Sequence, residues 1–197
     1  MPARAKTTDA EIVQAARQLV EREGRDGFTM NDVAASVGIR APSLYGRFEN
    51  RATLLVAVEI QICAELATLL SKPIVASEPE ATLMAQAKLI RRFAKSHPNS
   101  YALLFDIRAM PTKEAKRARI AALAPLMPSL AALAGDEAAF AAARVLIPYL
   151  HGFISMELAN AFRLGGGVAT AFERGVSAIL RGLARSSTDQ ARVDVED

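Results

Sequence analysis

The chain has no tryptophan, one cysteine and two histidines in 197 residues. The single cysteine, Cys63, excludes an internal disulfide framework and most zinc sites. It falls on an apolar helical stripe, so it reads as a buried inert thiol. With only His97 and His151 as imidazoles, and no Gly-rich phosphate loop, metal-spaced cluster or nucleophile–base pairing, catalysis has no foothold. Paired carboxylates occur only on polar helix faces. The expectation is a protein that is not an enzyme and uses no metal and no cofactor. Alternating runs of Val, Ile and Thr are missing as well, while hydrophobic residues reach 51% and Ala dominates them. That composition predicts an all-α fold.

The N-terminal stretch MPARAKTTDAEI carries charge but no apolar core of a secretion signal. The longest uncharged segments, 120–135 and 145–156, contain Pro125, Pro128 and Pro148 and fall short of a membrane span. The expected location is the cytoplasm, with no membrane partner. A pI of 9.2 says less than it first suggests, because residues 1–60 hold eight Lys/Arg and eight Asp/Glu. Placement matters more than the sum. Arg40, Arg47 and Arg51 face only Glu49 within 39–51, and Arg4 and Lys6 make the first residues a basic arm. Residues 186–197 are acidic, with a net charge of −3, and read as a disordered tail.

The stretch 28–55, FTMNDVAASVGIRAPSLYGRFENRATLL, organises the rest. Thr29 and Asp32 have capping-box spacing, with Phe28 and Val33 as the hydrophobic staple around them. Val33, Ala34 and Val37 give a short helix its apolar side, and Gly38 supplies the left-handed stop. Ile39 plugs the corner, and Pro42 suits the first turn of the following helix, expected over 43–48. Asn50 reads as the N-cap of a longer helix from Arg51. Two short helices around a tight turn, with polar and aromatic groups on the second, form a helix-turn-helix.

Phe28-Thr29, Asp32-Val33-Ala34, Val37-Gly38-Ile39, Ser43-Leu44-Tyr45, Phe48 and Asn50-Arg51 before Leu54-Leu55 resemble, in register and without gaps, the N-terminal motif of the tetracycline-repressor (TetR) family of bacterial transcription regulators. The resemblance implies double-stranded DNA as partner. By position in the motif, Asn31, Ala41 and Pro42 face bases, the last two suited to a thymine methyl. Ser43 offers a hydroxyl, Tyr45 a phenol, and Arg47 a guanidinium for a guanine or a phosphate. Arg51, at a helix N-terminus, is placed to hold phosphate. Gly46 in mid-helix suggests a close approach to the DNA backbone, or else drift, since it costs about 1 kcal/mol against Ala.

The first helix, about 8–23, has Ile12, Ala15, Ala16, Leu19 and Val20 on one face. A helix from Arg51 to about Leu70 places Leu55, Val58, Ile62, Leu66 and Leu69 on a stripe, and by the resemblance it links the DNA module to the rest. Ser77 and Glu80 cap a helix running to about Ser96, with Lys88, Arg91, Arg92 and Lys95 outward. Helical segments broken by Pro98, Pro111, Pro125 and Pro128 follow, and Asp136 reads as the next cap. The last two helices are expected over about 137–164 and 168–184, around Gly165-Gly166-Gly167.

An apolar C-terminal hairpin of this length resembles the surface through which TetR-type proteins pair as four-helix bundles, implying a homodimer through 137–164 and 168–184. His151-Gly152-Phe153, Glu157-Leu158-Ala159 and Ala161-Phe162-Arg163-Leu164 resemble the branch of the family carrying Trp-His-Gly; here the triplet is Leu150-His151-Gly152, without the Trp. The Pro-broken segments 101–110 and 123–156 are candidate walls of a pocket for a small apolar effector. Phe105, Met110, Met127, Tyr149 and His151 are its candidate lining.

The expected organisation is a DNA-binding module over 1–50, a ligand-binding and dimerisation domain over 51–185, and the tail 186–197. The expected function is a transcription regulator, a repressor by the resemblance, that binds a palindromic operator as a homodimer and is released by the effector. The alternative is a dimeric small-molecule-binding or interaction protein whose helix-turn-helix no longer reads DNA.

Overall fold

The computed structural model describes residues 7–74, 78–106, 112–163 and 165–196, with side chains described as far as Arg185. Every regular element among the described residues is helical. In order these are α1 (Asp9–Glu23), α2 (Met30–Ser36), α3 (Ala41–Tyr45), α4 (Arg51–Leu70), α5 (Pro79–Ser96), α6 (Pro98–Leu104) and α7 (Lys113–Leu123). A 3-10 turn over Ala124–Leu126 leads into α8 (Met127–Ala134), α9 (Ala139–Leu158) and α10 (Val168–Glu196). Two compact units result: residues 1–66 with 97–122, and residues 67–96 with 123–197.

In the first unit α1 begins at a capping box in which the Thr8 hydroxyl accepts the Glu11 N–H and the Glu11 carboxylate accepts the Thr8 N–H at 2.7 Å. Ile12, Ala16, Leu19 and Val20 of its stripe are buried. Its polar flank is bound to α4, where the Gln61 amide donates to Gln14 at 2.7 Å and Arg17 pairs with Glu65. At the far end of α1 the Glu21 carboxylate accepts the backbone N–H groups of Asn99 (3.2 Å) and Ser100 (3.0 Å), the open donors at the start of α6. Arg25 then pairs with Asp106, just beyond α6. The buried Glu59 carboxylate of α4 is held by Arg119 of α7. Cys63, one turn further along α4, is buried too, and desolvation together with the Glu59 charge pushes its thiol up to about 11. It is an inert core thiol, as its stripe indicates.

The second unit packs α10 against α5, α8 and α9. Phe172, Val176 and Leu180 of α10 are fully buried, while Ile179 and Leu183 are half-buried. Phe153 meets Phe172 edge-on at 5.2 Å and Phe162 at 4.7 Å. The basic face expected to point outward from α5 is largely tied down. Arg91 donates two hydrogen bonds to Glu157 (2.7 and 2.6 Å) and lies 5.1 Å from the Phe172 ring. Lys95 shares Glu157, and Lys88 pairs with Glu173. Hydrogen bonds from Arg91 hold the Glu157 carboxyl below the usual carboxylate range.

Several expected boundaries move. Asp136 does not cap α9: residues 136–138 form a turn, the N-cap is Ala138, and no side chain caps the helix. α9 ends at Leu158 because Asn160 adopts φ 52°, and its N–H and that of Ala161 close on Glu157 and Met156 as a left-handed stop. α10 runs through the segment expected to be a disordered tail as far as Glu196. Ser77 lies outside the described residues.

By length and composition α4 and α9 are apolar enough to cross a membrane, unlike the shorter uncharged segments visible in the sequence. A core helix passes the same test, and α4 buries Leu54, Leu55, Val58, Ile62 and Leu66. On α9, Ala141, Val145, Pro148, Gly152 and Met156 fall on one exposed line, with Val145 50% and Met156 48% exposed.

Candidate nucleic-acid interface

The helix-turn-helix is built by reciprocal caps and one left-handed residue. Thr29 and Asp32 close the predicted capping box, with the Thr29 N–H 2.7 Å from the Asp32 carboxylate and the Asp32 N–H 3.3 Å from the Thr29 hydroxyl. The Thr29 hydroxyl and N–H hold the Asp32 carboxyl below its ordinary value. Phe28 and Val33 are buried beside the cap, as a staple requires.

α2 ends with Gly38 at φ 68°, its N–H on Ala35 and the Ile39 N–H on Ala34 at 3.0 Å. These are the two hydrogen bonds of a Schellman stop, which needs a residue free to adopt positive φ. The chain then turns straight into α3.

α3 starts and ends earlier than the expected 43–48. It spans Ala41–Tyr45, because Arg40 is the N-cap and its carbonyl accepts the Ser43 N–H (2.9 Å) and the Leu44 N–H (3.4 Å). Pro42 sits in the first turn, where its missing N–H is no loss. Leu44 is fully buried and anchors the helix, so its neighbours face out: Pro42, Ser43 and Gly46 are exposed and Tyr45 is 51% exposed. Asn31 is exposed on α2, and Ala41 is half-buried. A Cβ at Gly46 would meet only ordinary contacts, 3.6 Å from the Pro42 carbonyl, so nothing within the fold requires glycine there.

The two arginines assigned to DNA are engaged within the fold. Arg47 lies 3.1 Å from the Asp9 carboxylate of α1. Arg51 is tucked back, its guanidinium 4.7 Å from the Phe28 ring centre and 3.6 Å from Asp26. Asn50 caps α4 as expected, its side-chain oxygen accepting the Thr53 N–H at 3.0 Å. The acidic partners were not legible in the sequence because both lie far along the chain from the arginines they meet. Arg4 and Lys6 of the arm lie outside the described residues.

The candidate effector-pocket residues sit in different settings. Phe105 follows α6 in the first unit, its ring 5.1 Å from that of Tyr101. Met127 opens α8, and both it and His151 are half-buried in the second unit. The Nδ1 of His151 is 3.3 Å from the Ser155 hydroxyl, and burial pushes the imidazole below its ordinary value. Tyr149 packs across α10, so closely that a β-carbon on Gly175 would fall inside its phenol. Met110 lies outside the described residues. Clefts among the described residues are lined by other groups: one by Lys95, Glu157, Asn160 and Val168, one by Glu23, Arg25, Asn99 and Asp106, and one by Lys88, Arg91, Arg92 and Glu173.

An all-helical chain whose N-terminal module presents a capped helix-turn-helix defines the class of helical DNA-binding regulators. Residues 12–58 match the family described as "Bacterial regulatory proteins, tetR family", and residues 83–179 match "Tetracyclin repressor-like, C-terminal domain". An uncharacterized HTH-type transcriptional regulator of Mycobacterium tuberculosis, Rv0681, is 30% identical over 157 residues, 78% of this chain and 72% of that protein.

The fold is shared with a protein of unknown function from Rhodococcus sp. RHA1 (TM-score 0.77, 21% identity, 93% of this chain and 99% of that one). It is also shared with a TetR transcriptional regulator from Streptomyces coelicolor (0.71, 19%, 91% and 99%). A variant TetR from Acinetobacter baumannii AYE solved in complex with minocycline superposes as well (0.67, 22%, 91% and 98%). The chain belongs to the tetR family of bacterial transcription regulators, a family of regulators and not of enzymes. The matched C-terminal description singles out no branch, so the Trp-His-Gly resemblance remains an expectation.

Proposed function

We propose that the protein is a homodimeric repressor that binds a palindromic operator and is released by a small apolar effector. Residues 1–50 read DNA, and 51–185 bind the effector and a second copy. The observation that carries this reading is α3 itself. Leu44 is buried at 0% exposure while Pro42, Ser43 and Tyr45 stand out from a helix pinned by a Schellman turn on one side and the Asn50 cap on the other. A reading helix of this kind lies in a major groove, and a dimer spaces its two half-sites about one helical turn or more apart.

The exposed line Ala141, Val145, Pro148, Gly152 and Met156 on α9 supports pairing of two copies in a helical bundle. An effector lined by residues such as Met127, Tyr149 and His151 acts only through unequal affinity for the DNA-bound and released states. The minocycline complex of the Acinetobacter relative supports a small-molecule ligand in kind. The reading puts the protein in the cytoplasm, on DNA.

The test is selection of duplexes from a random pool by the full chain, followed by titration of the selected duplex with the wild type and Tyr45→Ala. Selective binding by the wild type that Tyr45→Ala loses supports the regulator. Weak binding to every duplex, equal in both proteins and erased by salt, favours the alternative, an effector-binding dimer whose helix-turn-helix no longer reads DNA.

A further inference from the structure

Asn31, Ser43 and Tyr45 give the reading head its polar surface, but its affinity depends on cations, and the structure separates these into two kinds. Arg47 is bound to Asp9 at 3.1 Å and only 24% exposed. Arg51 is 30% exposed, lies against Phe28, and has Nε and Nη2 buried without hydrogen-bond partners. Both side chains are more covered than exposed. Arg40 is different. It is exposed, its side chain caps nothing, and among the described residues no carboxylate pairs with it.

Its backbone, by contrast, is fixed. The Arg40 carbonyl takes two N–H groups of α3, and the Gly38 turn immediately before it sets the direction in which the side chain leaves the corner. The chain therefore carries at the N-cap of its reading helix an uncompensated guanidinium on a rigid base, while Arg47 is paired with Asp9 and Arg51 is tucked back against Phe28 and Asp26.

Resting on the operator-binding reading above, we propose that Arg40 is the principal cationic contact of the reading head, outweighing Arg47 and Arg51. A guanidinium already paired must give up its carboxylate before it gains a phosphate, and the carboxylate it leaves then faces the DNA. Arg40 gives up only water. The partner is the phosphate backbone of the operator half-site, or a guanine edge beside it, and Asp9 restrains Arg47 from the same contact.

The experiment uses the full-length protein and the duplex it selects from a random pool, with binding measured across a salt series. Arg40→Ala is expected to weaken binding about tenfold or more per protomer. The dependence of log K on log salt should flatten by about 0.9 for each protomer. Arg47→Ala should weaken it by less. Asp9→Asn should tighten the wild type by up to about fivefold, the value of an exposed pair, and leave Arg47→Ala unchanged. Arg40→Lys should keep the salt slope if phosphate is the partner, and lose discrimination between bases if guanine is. Circular dichroism guards against unfolding, to which an exposed side chain without bonds is not expected to contribute.

If the wild type selects a duplex and Arg40→Ala binds it with unchanged affinity and slope, the proposal is overturned while operator binding stands. A larger loss in Arg47→Ala than in Arg40→Ala overturns it too. If the wild type selects no duplex at all, both the operator reading and this proposal fall.

Discussion

The Glu21 carboxylate at the end of α1 accepts the backbone N–H of Ser100 at 3.0 Å and, with its other oxygen, that of Asn99 at 3.2 Å. A side chain of one helix thus serves as the N-terminal cap of another that follows 77 residues later by its own first position (Pro98). The Asn99 amide returns the contact, donating to the Glu21 carbonyl at 2.9 Å. α6 has no cap of its own, since His97 makes no side-chain cap bond. Replacing Glu21 by Gln keeps the shape and removes the charge, so the helix start loses its anionic partner at a cost of about 1 kcal/mol. Urea denaturation should show that loss, and amide exchange should quicken at Asn99 and Ser100; an unchanged midpoint with unchanged exchange would mean the contact is incidental.

Tyr149 and Gly175 make a second pair in which the absence of a side chain is the point. Gly175→Ala is expected to destabilise the second unit by roughly 1–3 kcal/mol, because its methyl group would occupy the space of the phenol. Tyr149→Ala costs stability by itself, but combined with Gly175→Ala the two losses should sum to less than their separate values. Strict additivity in the double-mutant cycle would contradict the packing.

The α9 face predicts an oligomeric state. Val145→Glu places a charge in the middle of the exposed apolar line, at a side chain that is already 50% exposed in the monomer. If that line joins two copies, sedimentation at micromolar concentration gives a dimer for the wild type and a monomer for Val145→Glu, with the helical circular dichroism of both alike. A monomeric wild type rejects the pairing outright.

His151 makes stability depend on pH. Burial lowers its folded-state value below the ordinary 6.5, so the unfolded chain takes up the proton first as pH falls. The contribution is fully present above 6.5 and is lost as pH descends from there through the lower folded value. Comparing urea midpoints between pH 7.5 and 5.5, His151→Gln should flatten part of the fall seen in the wild type. Parallel curves for the two proteins would show that the imidazole is not desolvated.

The local architecture was written in the sequence because each device needs only neighbours. Thr29 with Asp32, Gly38 with Ile39, and Asn50 with Thr53 close their hydrogen bonds within a few residues, so spacing and residue type suffice to place them. The apolar period of α1, α4, α5 and α10 likewise assigns a buried face without any knowledge of what covers it. Where local signals compete, spacing alone misplaces a helix boundary. α9 stops at Leu158, closed by the left-handed Asn160, although its apolar pattern continues, and α3 begins at Ala41 because the Arg40 carbonyl starts the ladder.

What the sequence determined by itself is therefore the helix-turn-helix, the all-helical class and the residues that stand on the exposed side of α3. Only the tertiary structure decided which charges are spent. Asp9 reaches Arg47, Asp26 reaches Arg51, Glu21 reaches α6 and Glu157 gathers Arg91 and Lys95. An ion pair depends on distance in space and has no period along the chain, so a count of charges over 1–60 shows neutrality but cannot show that, of Arg40, Arg47 and Arg51, it is Arg40 that no carboxylate pairs with among the described residues.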